Sequence, residues 1–136
     1  MLGEMIGETQ GKITVSRVLP FEGEELAPKV ESSFQDSGKI LGVEVTNIGT
    51  YWSTVRAGGL YGEGQGIVMT KDGEMASWTG QGVGKFTGSG SASIWRGSLF
   101  YQTSSQKLAR LNNIVVVFEY EVDENGNTHD KLWEWK

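Results

Sequence analysis

The residues best placed by type and spacing to act together on a small molecule are Arg56, Glu63 and Gln65, set among Trp52, Tyr61 and Trp78. Tyr61, Glu63, Gln65, Ile67 and Met69 fall at every second position, which in a β-strand puts all five side chains on one face. A guanidinium, a carboxylate and an amide between aromatic rings could orient a partly apolar ligand, because ligand pockets combine an apolar lining with a few convergent polar groups. The same groups could form a satisfied polar plug instead, since buried charges are tolerated when paired. Small barrels usually fill their interiors with side chains, so both readings stay open. Arg96 joins the cluster if Gly88-Ser89-Gly90 forms a three-residue loop, and faces outward if the loop has two residues.

Other chemistries have less to build on. The chain has no cysteine and one histidine, His129, so thiolate metal sites, His-rich metal sites and a Ser–His nucleophile pair lack their parts. Gly62-x-Gly64-x-Gly66 looks like a dinucleotide fingerprint, but that motif needs its glycines in a strand–turn–helix, and here they alternate within a strand. Gly84-Lys85 fails as a phosphate loop, with Thr79 where the first glycine belongs and Phe86 where Ser or Thr must follow. Asp123, Asn125, Asn127 and Glu134 imitate calcium-loop spacing, yet the glycine sits at 126 and strands flank the segment, so a hairpin turn accounts for them. No metal and no cofactor is expected.

The elements that must position the cluster are strands. Twenty glycines without collagen spacing, two prolines and five Trp, four Tyr and five Phe point to many strands joined by tight turns. Alternation and turn signals mark candidate strands at 11–19, 28–35, 39–48, 50–57, 60–71, 74–86, 91–104, 112–122 and 128–136, with no long helical periodicity. The segment from Pro20 to Pro28, with Glu22, Glu24 and Glu25, reads as an exposed loop or a single helical turn.

Asp72-Gly73 and Asn125-Gly126 suit two-residue type I′ hairpins, with Gly58-Gly59 a weaker candidate. Counting outward from these turns puts Ile67 opposite Trp78, Gln65 opposite Gly80 and Glu63 opposite Gly82, with Arg56 opposite Tyr61. On the last hairpin it pairs Phe118 with Trp133 and Val116 with Trp135 on a buried face. Gly80, Gly82 and Gly84 then leave a gap in the first face, to be filled by aromatic neighbours, closed by a bend, or left as a cavity.

At 136 residues and with no composition shift, the chain reads as one domain over 1–136, large enough to stabilise itself without disulfides. A net charge of -5 with no Lys/Arg cluster argues against nucleic acid and anionic membranes. The opening Met1-Leu2-Gly3-Glu4 has no signal-peptide character, and no apolar run is long enough to span a bilayer, so a cytoplasmic protein is expected.

The run from Tyr51-Trp52-Ser53-Thr54-Val55-Arg56 through Tyr61-Gly62-Glu63-Gly64-Gln65-Gly66 and Trp78-Thr79-Gly80-Gln81-Gly82-Val83-Gly84, with Arg96-Gly97, Phe118-Glu119-Tyr120 and Trp133-Glu134-Trp135, resembles a group of small bacterial proteins of unassigned function. That group is similar in fold to the allene oxide cyclase barrel. The resemblance implies a closed antiparallel β-barrel of about eight strands with a central cavity. It implies no catalytic residue, because the cyclases' active-site residues have no one-to-one match here. A jelly-roll sandwich is the alternative architecture.

The leading functional expectation is a barrel that binds a small apolar or amphipathic ligand, with Trp52, Arg56, Tyr61, Glu63, Gln65, Trp78 and Arg96 as cavity residues. The alternatives are a cyclase- or isomerase-like enzyme, resting on fold analogy, and a structural module acting through its outside. A homodimer is expected, since Val115, Val117 and Leu132 offer apolar surface on the outer face.

Overall fold

The computed structural model describes residues 1–23, 25–88 and 90–136. Eight strands follow one another in chain order: β1 (Leu2–Val18), β2 (Lys29–Ile40), β3 (Val43–Arg56), β4 (Gly59–Thr70), β5 (Met75–Phe86), β6 (Ser93–Thr103), β7 (Val115–Val122) and β8 (Asn127–Trp135). Each pairs antiparallel with the next, and β8 returns to β1 from Leu2↔Trp135 to Lys12↔Asn127. The sheet is therefore a closed antiparallel barrel, and not the two packed sheets of a jelly roll. Among the described residues, no helix is long and apolar enough to cross a membrane.

The strand count differs from expectation for a packing reason. The segments 39–48 and 50–57 belong largely to one strand, β3, because Gly49 is an inward-facing strand residue and not a break. A Cβ at Gly49 would lie 2.6 Å from the Phe34 ring and 2.7 Å from Trp78, so the two rings occupy the volume a side chain would take. β1 also starts at Leu2, well before residue 11, and supplies the seam on which the barrel closes. Glu24 and Ser89, in two of the expected loops, lie outside the described residues. Around them, Glu22 bridges to Ala27, and Phe86 pairs with Ser93.

The turns decide which face is inside. Type I′ needs φ > 0 at both central residues. At Asp72-Gly73 and Asn125-Gly126 only the glycines have it (φ 83° and 81°), and the loop is one residue longer than expected. Thr70 N–H donates to Glu74 O at 2.9 Å, and Asp123 N–H donates to Asn127 O at 2.9 Å, closing three-residue loops. Asp123 Oδ1 also accepts from the backbone N–H groups of Asn125 and Asn127, which holds the second loop in shape. The true two-residue turns are Leu41-Gly42 (φ 53° and 77°) and Ala57-Gly58 (φ 48° and 80°), in place of Gly58-Gly59.

A left-handed backbone costs a non-glycine residue roughly 1–2 kcal/mol, and Asn tolerates it better than Ala. Ala57→Asn is therefore expected to stabilise the protein by about 0.5–1 kcal/mol, read as a higher urea midpoint at unchanged slope.

The extra loop residue shifts both hairpins by one register step, which exchanges the faces of the partner strands. Val68 now faces Ala76, Gly66 faces Trp78, Gly64 faces Gly80 and Gly62 faces Gly82, all toward the interior. On the last hairpin Val116, Phe118, Tyr120 and Val122 stay inside as expected, but they oppose Glu134, Leu132, Asp130 and Thr128. Trp133 and Trp135 belong to the other face, and Leu132, expected outside, is 2% exposed in the core. One end of the barrel is packed with Ile6, Ile40, Val45, Val68, Val116 and Leu132. Leu108 and Leu111, wholly buried, join them from the β6–β7 connection. Each such side chain contributes on the order of 1.5–3 kcal/mol by leaving water.

Candidate functional site

Five of the residues expected to share one face, Trp52, Arg56, Tyr61, Glu63 and Gln65, do share it, but that face is the outside of the barrel. Trp52 pairs with Glu63, Thr54 with Tyr61 and Arg56 with Gly59, so Arg56, Trp52, Tyr61, Glu63 and Gln65 remain neighbours. Tyr61 is the hub. The Arg56 guanidinium carbon lies 3.8 Å from its ring centroid, and the Trp52 ring 5.7 Å away. Its hydroxyl donates to Glu63 Oε2 at 2.5 Å, with Gln81 Oε1 at 3.1 Å, and the Glu63 carboxylate holds the phenol above its ordinary range. Gln65 Nε2 donates to Thr50 O, and Lys29 Nζ sits 4.5 Å above Trp52. Arg96 also faces outward, opposite Val83, with its Nε 3.8 Å from Glu119 Oε1. Trp78 alone of the seven points inward.

The reason is electrostatic as much as geometric. The expected register would bury Arg56, Glu63 and Gln65, whereas the observed one turns six glycines, Leu60 and Val68 inward and leaves the charges in water.

The glycine gap is mostly filled by rings from other strands. A Cβ at Gly66 would come within 2.4 Å of the Trp78 indole, and one at Gly84 within 2.7 Å of Trp95. Phe34, Tyr51 and Tyr120 pack in one cluster, with centroids 5.6–5.9 Å apart. Beside Gly62, Gly64, Gly80 and Gly82 a cavity of about 70 Å³ remains. Its other walls include Phe34, Tyr51, Trp78, Trp95, Leu99, Tyr101, Phe118 and Tyr120, with Asn47, Asp130, Glu63 and Gln81 as polar residues.

The polar groups of this interior are arranged and incompletely paired. Trp78 Nε1 donates to Asn47 Oδ1 at 2.8 Å, which aims the Asn47 amide nitrogen at Asp36 Oδ2, 3.4 Å away. Asp36 is 3% exposed, and its second oxygen has no partner. Asp130 Oδ1, the Tyr120 hydroxyl and the Thr128 hydroxyl are also buried without a hydrogen bond. Burial raises Asp36 from 3.8 to about 6, against the opposing effect of Asn47 and Thr9. Burial, and then the nearby Asp36 charge, also raises Asp130, well above the ordinary carboxylate range. Burial also pushes the Tyr101 and Tyr120 phenols up.

None of the residues lining the cavity is Lys, Arg or His. Among the described residues no three His, Asp or Glu side chains converge to hold a metal ion. His129 lies on the outer face, 2.6 Å from Glu8 Oε2.

The sequence reading missed Asp36, Asn47, Tyr51, Tyr101, Tyr120 and Asp130. Asp130 was hidden by the one-residue loop difference, and Asp36 by reading 36–38 as a break between strands.

Fold and interior together define the class: a closed eight-stranded antiparallel barrel with an aromatic cavity and the Asp36 and Asp130 carboxyls turned inward. Solved structures share its fold across nearly the whole chain. A β-barrel-like protein from Acinetobacter baumannii matches with a TM-score of 0.81 at 12% identity, covering 100% of this chain and 96% of its own. A conserved protein of unknown function from Rhodopseudomonas palustris matches with 0.79 at 11% identity, over 98% and 97%. A protein of unknown function from Clostridium acetobutylicum matches with 0.79 at 12% identity, over 98% of each chain. No protein-family model and no curated protein matches the chain.

Proposed function

We propose that the protein binds a small molecule inside the barrel, in the cavity between the glycine panel of β4–β5 and the aromatic rings facing it. The observation that carries this is a pair of buried polar atoms without hydrogen bonds, Tyr120 OH and Asp130 Oδ1, at a cavity of about 70 Å³. An unpaired buried polar group costs about 1–3 kcal/mol, and a guest that pairs with it recovers that loss. The volume corresponds to about five water positions, so the guest has only a few heavy atoms. A fatty-acid-sized guest needs several hundred Å³, which the rings as placed do not leave.

The test is native mass spectrometry on gently purified protein, compared with its denatured mass. The expected result is a small extra mass that disappears on denaturation. It is weakened by Tyr120→Phe, which keeps the ring and removes the unpaired hydroxyl, and it persists in Arg56→Ala on the outer face. A clean mass, together with no saturable uptake from a panel of small probes, overturns the proposal. The same spectrum reports the assembly, for which we expect a homodimer. A bacterial cytoplasm is the proposed setting, supported by the bacterial neighbours and the chain's lack of cysteine.

The resemblance to the allene oxide cyclase barrel supports a second reading, a cyclase- or isomerase-like enzyme. One observation favours it: a protonated carboxyl at Asp130 beside the Tyr120 phenol would give two donors for a developing oxyanion. Glu63 and Arg56, on the outside, play no part in it.

A further inference from the structure

We propose that the guest of this cavity is a small organic cation, an alkylammonium ion whose N–H groups meet Asp130 at the cavity wall, with Asp36, hydrogen-bonded to the lining Asn47, adding a second negative charge, while its alkyl carbons lie against the aromatic walls. The inference rests on the cavity-binding reading and names its ligand class.

Three geometric observations carry it. Asp36, 3% exposed, and Asp130 each leave Oδ1 without a hydrogen bond, and both face the interior from strands that flank β1. The Trp78–Asn47–Asp36 chain uses both ends of the Asn47 amide, so Asn47 satisfies one Asp36 oxygen, while the other has no hydrogen bond. The cavity walls are aromatic and include no Lys, Arg or His, so the interior holds carboxyls with no counter-charge of its own. Ring faces and carboxylate oxygens are the two surfaces that attract an ammonium group out of water. An anion would meet like charge here, and a neutral apolar guest would leave the oxygens unpaired.

Binding should also release protons. An ammonium ion favours the ionised carboxyls, whereas burial keeps their protons on in the empty barrel. Affinity is therefore expected to rise with pH from about 5 to 8. The other titratable groups facing Asp36 and Asp130 are the phenols of Tyr51, Tyr101 and Tyr120, all held above their ordinary range. Glu134 faces inward at the packed end, with Arg110 and Lys136 on it, and the His129–Glu8 pair is on the outer face.

Isothermal titration of the full chain with ethylammonium, acetone and acetate, in two buffers of different ionisation enthalpy, tests this. Ethylammonium is expected to bind saturably and to displace protons into the buffer. Its affinity should weaken about tenfold or more in Asp130→Asn and in Asp36→Asn. Either variant alone keeps the test valid if the other fails to fold. Saturable acetone or acetate binding without ethylammonium binding, or ethylammonium affinity unchanged in both variants, overturns the cation inference and leaves the cavity reading standing. No saturable binding of any of the three, and no extra mass in the native spectrum, removes both.

Discussion

Gly97→Ala is expected to destabilise the barrel by about 3 kcal/mol or more, lowering Tm by roughly 10 °C or more, while Gly88→Ala stays within about 0.5 kcal/mol of the parent. A Cβ at Gly97 would lie 2.0 Å from Gln81 O and 2.6 Å from Gly82 Cα, both backbone atoms of β5. No rotamer change relieves that contact, so β5 and β6 must move apart along a ladder that runs from Ala76↔Thr103 to Phe86↔Ser93. Gly88 has nothing within 4 Å of the same position and does not need a left-handed backbone. Paired thermal melts of the two variants measure the difference. Equal stabilities would mean that the two strands are not held as closely as the structure has them.

The second large effect is on the pH dependence of stability. Asp36 titrates at about 6 in the folded chain and near 3.8 in the unfolded one. Between these values the folded state keeps a proton that the unfolded state has released, so stability falls as pH rises through the window. The loss is complete above the folded value and amounts to about 3 kcal/mol. Asp130, raised for the same reason, acts in the same direction.

Asp72 and Glu44 run the other way. Lys107 and Lys71 lower them, so their contribution is present above the unfolded values and fades as pH falls toward and below 4. Urea unfolding is therefore expected to show greater stability near pH 5 than at pH 7.5. Asp36→Asn should recover about 1–3 kcal/mol at pH 7.5 and flatten the slope between pH 4 and 6. Stability that rises steadily from pH 5 to 7.5 would contradict the buried, unpaired state of this carboxyl.

How far the molecule was legible in its sequence depended on which physical signal was read. Alternation and glycine turns were enough for an antiparallel all-β domain, because both signals are local; closure into a barrel, with a jelly roll as the alternative, rested on the resemblance. Facing depended on whether each Asx-Gly turn has two or three loop residues. Asp72 and Asn125 can be read either way, and a single residue exchanges the two sides. The deciding signal was present in charge: the three-residue loop buries Leu60 and Val68 with the glycines, and leaves Arg56, Glu63 and Gln65 in water. The outer cluster around Tyr61 was recovered intact because the shift at Ala57-Gly58 was two residues, which preserves facing. Asp36 and Asp130 ran against the rule that acids stay outside. Only tertiary placement shows them inside.

The seam at β1 links the barrel's motions to its acids. In an open sheet the outermost strand frays by losing one ladder. A ring has no outermost strand, and freeing any one of the eight breaks two. β1 is the strand whose two partners carry the buried carboxyls, with Asp36 opposite Gly11 on one side and Asp130 opposite Thr9 on the other. When β1 loosens, water reaches both acids and they ionise, which above pH 6 favours the opened form and in mild acid does not. Breathing at this seam is therefore expected to depend on protonation, the ring being tightest when its interior carries no charge; the proposed cationic guest would hold it closed at neutral pH.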